Sequence, residues 1–497
     1  MSLTASFHVL QNSTSLLQDK SDRIALPATQ TYDERNGSYA SKLESDISPH
    51  AIFLPETTDE VSKFVKLLGP IVQEGAVKFA IRDAGCQPLP GCANIQGGVT
   101  LDLSRLVGTT PDESQGTVRI PAGELWGAVY KAVQYKGLGV TGARSGNNGI
   151  GGLASSANHI SKVASRSSAH AKASSPDNIV NYEVVLASGE VVNANRHENA
   201  DLFVALRGGG NNLGIVTRFD LSAFPQGNFW GGALFYFPDS FGGQIDALVT
   251  ELHRSDVSEE THVMISLFYA DQFSKAVGVD GAMGLSQAYY TQEVEKPAVL
   301  EPFTNTQPQI DALNSMRMTD LVSAAEEQAK QAMTSVRCAY MNTTVKVDAP
   351  TLHAATEIFK PALEKVKSID GMVFSFTMQP YPVSLLKRTA PAGGNVLGLK
   401  PADGPLVSIL ILLYWNKQSD DEVVLSTARS VIEAIDKDAT ARGTLVRYKY
   451  LNYAFDFQDP IGSYGQENRK KLQDASRKYD PDGLFQKGVP GGFKLFP

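Results

Sequence analysis

Cysteine is scarce in this chain. Cys86, Cys92 and Cys338 are the three among 497 residues, too few for a disulfide framework and without the spacing of a metal site. Cysteine usage leaves the compartment open: Cys86 and Cys92 read as free thiols, with a bridge across their loop in an oxidising lumen as the alternative. Positive charge is also short. Lys and Arg number 45 against 53 Asp and Glu, for a net charge of −8 and a pI of about 5.6. That balance argues against nucleic acid or a membrane surface as partner and for a small, largely uncharged molecule. No run reaches the ~18 apolar residues of a membrane span. The opening "MSLTASFHVLQNSTSLLQDK" has no basic n-region and no apolar h-region. This leaves the cytosol, or a secretory route whose leader has been removed. Asn12-Ser13-Thr14, Asn36-Gly37-Ser38 and Asn342-Thr343-Thr344 match the glycosylation triplet and keep the second route open. Also missing are a Ser-His-Asp arrangement, a Walker loop, an HExxH helix and any internal repeat. His159 and His170 fall in a loose Ser/Ala/Lys stretch, 155–178, and form no metal pair, so no metal is expected. Oligomeric state is not legible.

What is present is ordinary globular composition, 42% hydrophobic and 20% charged, in a chain long enough for two or three domains. From Ala51 to about Leu221 short β-branched runs alternate with helical stretches: strands at 51–57, 77–83, 98–106 and 117–123, helices at 58–75 and 125–137. From Phe224 to about Asp436 the texture becomes aromatic and alternating, in five runs at 231–238, 261–270, 335–347, 371–381 and 406–415. These predict an antiparallel sheet with helices on one face. The tail returns to short polar elements and a helix over 465–480. The fold class is α+β, divided as 1–222, 223–436 and a C-terminal segment, 437–497, that rejoins the first domain.

The most informative segment is "NIVNYEVVLASGEVVNANRHENADLFVALRGGGNNLGIVTRFDL" (178–221). It reads as a hairpin about Ser188-Gly189, a short helix from Asp201, and a glycine cluster, Gly208 to Gly210, that lets a ligand approach the backbone. With "GGVTLDLSRL", "GLGVTGARSGNNGIGGL" and "YLNYAFDFQDPIGSYGQENRKKLQDASRKYDPDGLF", it closely resembles the berberine bridge enzyme-like family of FAD-linked oxidases, over nearly the whole chain from about Ala51. The resemblance implies a PCMH-type flavin domain built from both chain ends, with a substrate domain between them.

In that family the first glycine loop runs Arg-Ser-Gly-Gly-His, its backbone holding the FAD diphosphate and its histidine bonded to the flavin. The matching residues here are Arg82, Asp83, Ala84, Gly85 and Cys86; serine, one glycine and histidine are gone. Where doubly tethered members carry a cysteine, this chain has Ser145. Gly151-Gly152-Leu153 matches the next flavin loop, but Ala154-Ser155-Ser156-Ala157-Asn158 replaces its glycine run. The resemblance also places Gly146, Asn178, Gly210, Gly214, Ile215 and Val216 at the cofactor. A carboxylate about 4 Å from one unit of phosphate charge costs roughly 4 kcal/mol at an effective dielectric near 20. The expectation is therefore no FAD or weakly bound FAD, with FAD tethered or packed at Cys86 as the alternative.

Tyr450, Leu451, Asn452 and Tyr453 match a family strand whose tyrosine and asparagine face flavin and substrate, making Tyr450 and Asn452 catalytic candidates. Alternation adds His262, a natural proton donor sharing a face with Met264, Ser266 and Phe268. Tyr340, Asn342, Gln379 and Tyr414 are the substrate-binding candidates. The resemblance, supported by the aromatic strands, implies a biosynthetic enzyme acting on an apolar, unsaturated, polycyclic intermediate. The altered flavin loops point to a redox-neutral isomerisation or cyclisation. An FAD-dependent oxidase using O2 and a non-catalytic metabolite carrier are the alternatives.

Overall fold

The computed structural model describes residues 21–155, 176–279 and 281–496. The first domain begins with a small sheet ordered Ile24–Ala25, Ala51–Phe53, Val99–Asp102, Phe79–Arg82, the last three parallel. Parallel neighbours need a crossover, and the helix Thr58–Gln73 supplies it. Thr57 caps that helix by accepting from the Glu60 N–H, and Val61, Phe64, Val65, Leu68 and Val72 form its buried stripe. Phe64 stacks on Phe53 at 5.3 Å and meets Phe79 edge-on at 5.7 Å. Each such side chain, fully buried, contributes about 1.5–3 kcal/mol.

A five-stranded antiparallel sheet follows, ordered Thr110–Asp112, Thr117–Pro121, Ile215–Ser222, Ile179–Val185, Val191–Asn195. The hairpin about Ser188-Gly189 and the helix Ala200–Leu206 fall where the pattern placed them.

The middle of the chain forms an antiparallel sheet of eight strands, not five. Besides the five runs it holds Met283–Tyr290, Arg317–Thr319 and Leu445–Val446. Met283–Tyr290 escapes hydrophobic reading because Gly284, Ser286 and Gln287 interrupt it. Those polar side chains are satisfied inside: Ser286 donates to Gln244 at 2.8 Å and Gln287 to Gln328 at 2.6 Å. One sheet face, including Phe374, Phe376, Ile409 and Ile411, packs in a single core with the helices Phe241–His253, Ala349–Val366 and Asp421–Arg442. The opposite face turns Met264, Ser266, Thr377 and Tyr340 toward the first domain. The boundary expected at 436 falls inside the helix Asp421–Arg442, which ends at Gly443 in the left-handed region (φ 71°).

The tail packs back on the first domain through the helices Gln466–Tyr479 and Leu484–Lys487. Lys478 pairs with Asp201 at 2.7 Å, and Phe79 N–H donates to Gly488 at 2.8 Å.

The three cysteines are free thiols. Two of the glycosylation triplets are closed by hydrogen bonding. Asn36 donates to Ser45 and Ile47 and accepts from Asn94, while Asn342 is fully buried. Asn12, His159, His170 and the replaced run 156–158 lie outside the described residues. Among those residues no helix is long and apolar enough to cross a membrane and no metal-binding cluster occurs.

Candidate active site

Two cavities meet on the side of the first domain that faces the large sheet. The first, about 150 Å³, is a groove walled by Ile81, Leu103, Ile215, Val216 and Phe219 and edged by the backbone of Gly151, Gly152, Gly210 and Gly214. The second, about 330 Å³, opens onto the polar face of the large sheet at Ser266, Gln287 and Thr377, with Arg144, Tyr340 and Tyr450 around it. Asp83, Gln87, Gly152 and Asn452 line both.

Asp83 stands at that junction because the strand Phe79–Arg82 ends there. Gly85, just beyond, has φ 67°, and a Cβ on it would lie 2.7 Å from the Tyr39 ring, so this turn needs glycine. The Asp83 carboxylate points inward and accepts the Gly152 N–H at 3.2 Å. A Cβ at Gly149 or Gly151 would come within 2.7 or 2.8 Å of Asp83 Oδ2. The two glycines thus form the notch that receives it. Among the described residues it is the one charged side chain lining the groove.

The irregular segment 86–98 that follows is anchored by Glu44, which accepts from Gly91 at 2.9 Å and Ala93 at 2.7 Å. Burial pushes the Glu44 carboxyl up to about 7. Burial also pushes the Cys86 thiol up to about 11, with the Asp83 charge adding to it. Cys86 therefore faces the second cavity as a thiol and a poor nucleophile at neutral pH. Ser145 lines the same cavity.

At the junction's other side, Asn452 Nδ2 donates to Gly152 O at 2.8 Å and to the Tyr450 hydroxyl at 3.0 Å. Asn342 clamps the Tyr450 backbone from below: its amide accepts the Tyr450 N–H at 2.8 Å and donates to its carbonyl at 3.0 Å. Tyr453 meets Tyr450 edge-on at 4.7 Å and Tyr340 at 5.7 Å. Tyr340 lines the cavity, and its phenol is pushed well above the usual range by burial and then by Tyr414.

The structure brings together Asp83, Cys86, Gly151, Gly152, Gly210, Gly214, Ile215, Val216, Tyr340, Tyr450 and Asn452 on the two cavities. It places other candidates elsewhere. Arg82 is fully buried under the loop, donating to Arg35 O and Ser38 and stacking 3.7 Å over Tyr39. Gly146 ties its loop to Ala325 O at 3.0 Å and packs against Gly127. Asn178 is buried and donates to Thr141. Ala84 packs on Gly149. Asn342 holds Tyr450 and does not line the cavity; Tyr414 stands behind Tyr340. Gln379 pairs with Ser408 beyond the cavity floor. His262 keeps the register of Met264 and Ser266 but stands at the start of its strand, beyond the cavity, stacking on Tyr289 at 6.3 Å beside a separate apolar cleft. Alternation identifies a face but does not say where along it the cavity ends.

Sequence reasoning missed Arg144, Gln287 and Gln328. Arg144 is a single basic residue in a loop, next to the noticed Ser145, and carries no pattern. Gln287 sits on the strand that hydrophobicity did not reveal.

Residues 49–195 match a family model described as an FAD binding domain. The chain is 35% identical, over 84% of its length and 80% of the relative's, to an FAD-dependent monooxygenase of Cochliobolus heterostrophus. It is 30% identical, over 90% of its length and 82% of the relative's, to the bifunctional solanapyrone synthase of Alternaria solani. Among solved structures, the berberine bridge enzyme-like protein 1 of Physcomitrella patens shares the fold with a TM-score of 0.75. That match has 17% identity and covers 96% of this chain and 97% of that one.

Proposed function

The chain belongs to the berberine bridge enzyme-like family of FAD-linked oxidases, and from that premise we propose that it is an FAD-dependent oxidoreductase of secondary metabolism, holding its flavin without a covalent bond. Its substrate is an apolar, unsaturated intermediate. The observation that carries the reading is the continuity of groove and cavity through Asp83, Gly152 and Asn452. The groove fits such a cofactor in its apolar walls and in the backbone of Gly210 and Gly214 that lines it, which with Gly151 and Gly152 would hold it. The fit is poorest at Asp83, whose carboxylate has to give up the Gly152 N–H.

When bound, the flavin supplies a hydride acceptor. The protein's share is proton handling and orientation. Tyr450 stands over the cavity with its backbone fixed by Asn342, and the Asn452 amide donates to its hydroxyl oxygen. That donation fixes the hydroxyl oxygen beside the cavity, where it serves proton transfer with substrate.

The test is to denature pure protein and read the flavin spectrum in supernatant and pellet. Stoichiometric FAD in the supernatant is the expected result. Flavin that stays with the pellet and vanishes in Cys86→Ala would replace the non-covalent reading with a thioether. Flavin-free protein would overturn the oxidoreductase.

A second reading is favoured by the Asp83–Gly152 contact: the cavity works without flavin, as a proton-transfer isomerase or a cyclase. Turnover by flavin-free protein under anaerobic conditions supports it, and deuterium from D2O at one product carbon selects isomerisation over cyclisation.

A further inference from the structure

We infer that the cavity takes a substrate bearing an ionised oxygen acid, a carboxylate or the enolate of a β-dicarbonyl, and that Arg144 is the residue that reads it. The inference rests on the reading that this cavity holds the substrate. Arg144 stands on the loop above the polar sheet face, half-buried, its Nη1 against Met264 Sδ and 3.4 Å from Gln287 Oε1. Gln287 is itself fixed by donating to Gln328. These partners are neutral. Among the described residues no carboxylate lies within ion-pair distance of Arg144. The other charged group lining the cavity, Asp83, is turned to the Gly152 N–H instead.

Three other half-buried arginines are answered by carboxylates, Arg35 by Asp102, Arg218 by Glu183 and Asp220, and Arg388 by Glu259, while Arg469 donates to the Leu495 carbonyl. Arg144 presents a planar donor fork to ligand space without an answering charge, and that fork matches a carboxylate or an enolate with its neighbouring carbonyl. The surrounding Leu410, Leu412 and Met264 supply the apolar wall for the rest of the molecule. The ligand class is therefore an apolar ring system with one acidic oxygen group, which departs from the largely uncharged molecule that the overall charge balance suggests.

The probe pair is naphthoate and its methyl ester, equal in ring system and different in charge, titrated calorimetrically into full-length protein. Naphthoate should bind at least about tenfold more tightly than the ester, the scale of a charge-assisted hydrogen bond. Arg144→Gln should erase the difference, and Arg144→Lys should keep part of it by retaining charge without the fork. An unchanged thermal midpoint in Arg144→Gln assigns the loss to recognition. Equal affinities in the parent protein, a preference that survives Arg144→Gln, or no binding of either compound would each overturn the inference. Flavin content is measured on the same samples. Flavin-free protein that discriminates keeps this inference and removes the oxidoreductase; flavin-loaded protein that does not discriminate does the reverse.

Discussion

The two glycine-built ends of the groove behave differently. At one end, Gly210 and Gly214 hold positive φ values of 59° and 156°, and Asn212 ties the turn down by donating to Gly209 O at 2.8 Å and Phe493 O at 2.9 Å. That end is glycine-lined and open to the groove. At the other end, the room beside Gly149 and Gly151 is filled by Asp83, which also takes the Gly152 N–H. One end is shaped for a group that arrives; the other has met its N–H with a carboxylate of its own chain. Glycine content alone therefore does not make a phosphate cradle. The side chain set against the glycines decides what the loop can hold.

The strongest way to break that contrast is Asp83→Asn, which keeps shape and removes charge. Relief of a repulsion of about 4 kcal/mol corresponds to nearly three decades of affinity. Fluorescence titration with FAD should show tightening of a hundredfold or more at low salt. The gain should be smaller at high salt, where the charge is already screened. Equal affinities at both salt levels would make shape, and not charge, the obstacle at this end.

Tyr450→Phe probes the junction where the groove meets the second cavity. The ring and its contact with Tyr453 remain, while the hydroxyl that accepts from Asn452 is lost. Turnover should fall by about a hundredfold or more, the scale of general acid–base catalysis, with the unfolding midpoint nearly unchanged. Undiminished turnover would remove Tyr450 from proton transfer.

Asn342→Ala separates position from chemistry at the same residue. Both amide atoms of Asn342 serve the Tyr450 backbone, and deleting them leaves the buried Tyr450 N–H unmet and its carbonyl with the Tyr453 N–H alone. For one unmet buried N–H, denaturant unfolding should show a loss of at least about 1 kcal/mol. A variant of parental stability would mean that the Tyr450 segment is held from elsewhere.

These residues also show what the sequence could convey. The aromatic alternation and the string "RGGGNNLGIVTRF" were enough for architecture, because they report burial and turns that the chain imposes locally. Met283–Tyr290 stayed hidden because its interior positions are glycine, serine and glutamine, satisfied by partners distant in sequence. Motif position alone cannot separate Asp83, whose side chain enters the groove, from Arg82, whose side chain runs beneath it. Asn342 shares the alternating face of Tyr340, but the Tyr450 segment lies across it. Arg144 had no legible signal, since its significance is the missing counter-charge in three dimensions.

The smallest expected effect is at His262. Its imidazole stacks on Tyr289 at the end of the sheet, beside a cleft formed by Leu248, Leu252 and Pro380 rather than by Asp83 and Tyr450. His262→Gln keeps polarity and loses the stacked ring, a change of about 0.5 kcal/mol at sites away from a core or network. Turnover should stay within about twofold of the parent, with flavin content unaltered. The pH dependence of turnover should also be unchanged, because a proton donor titrating near neutrality would leave its mark there. A tenfold loss of turnover with a shifted pH profile would connect the two clefts, and would make the far end of the sheet part of the chemistry that the Tyr450 junction is assigned here.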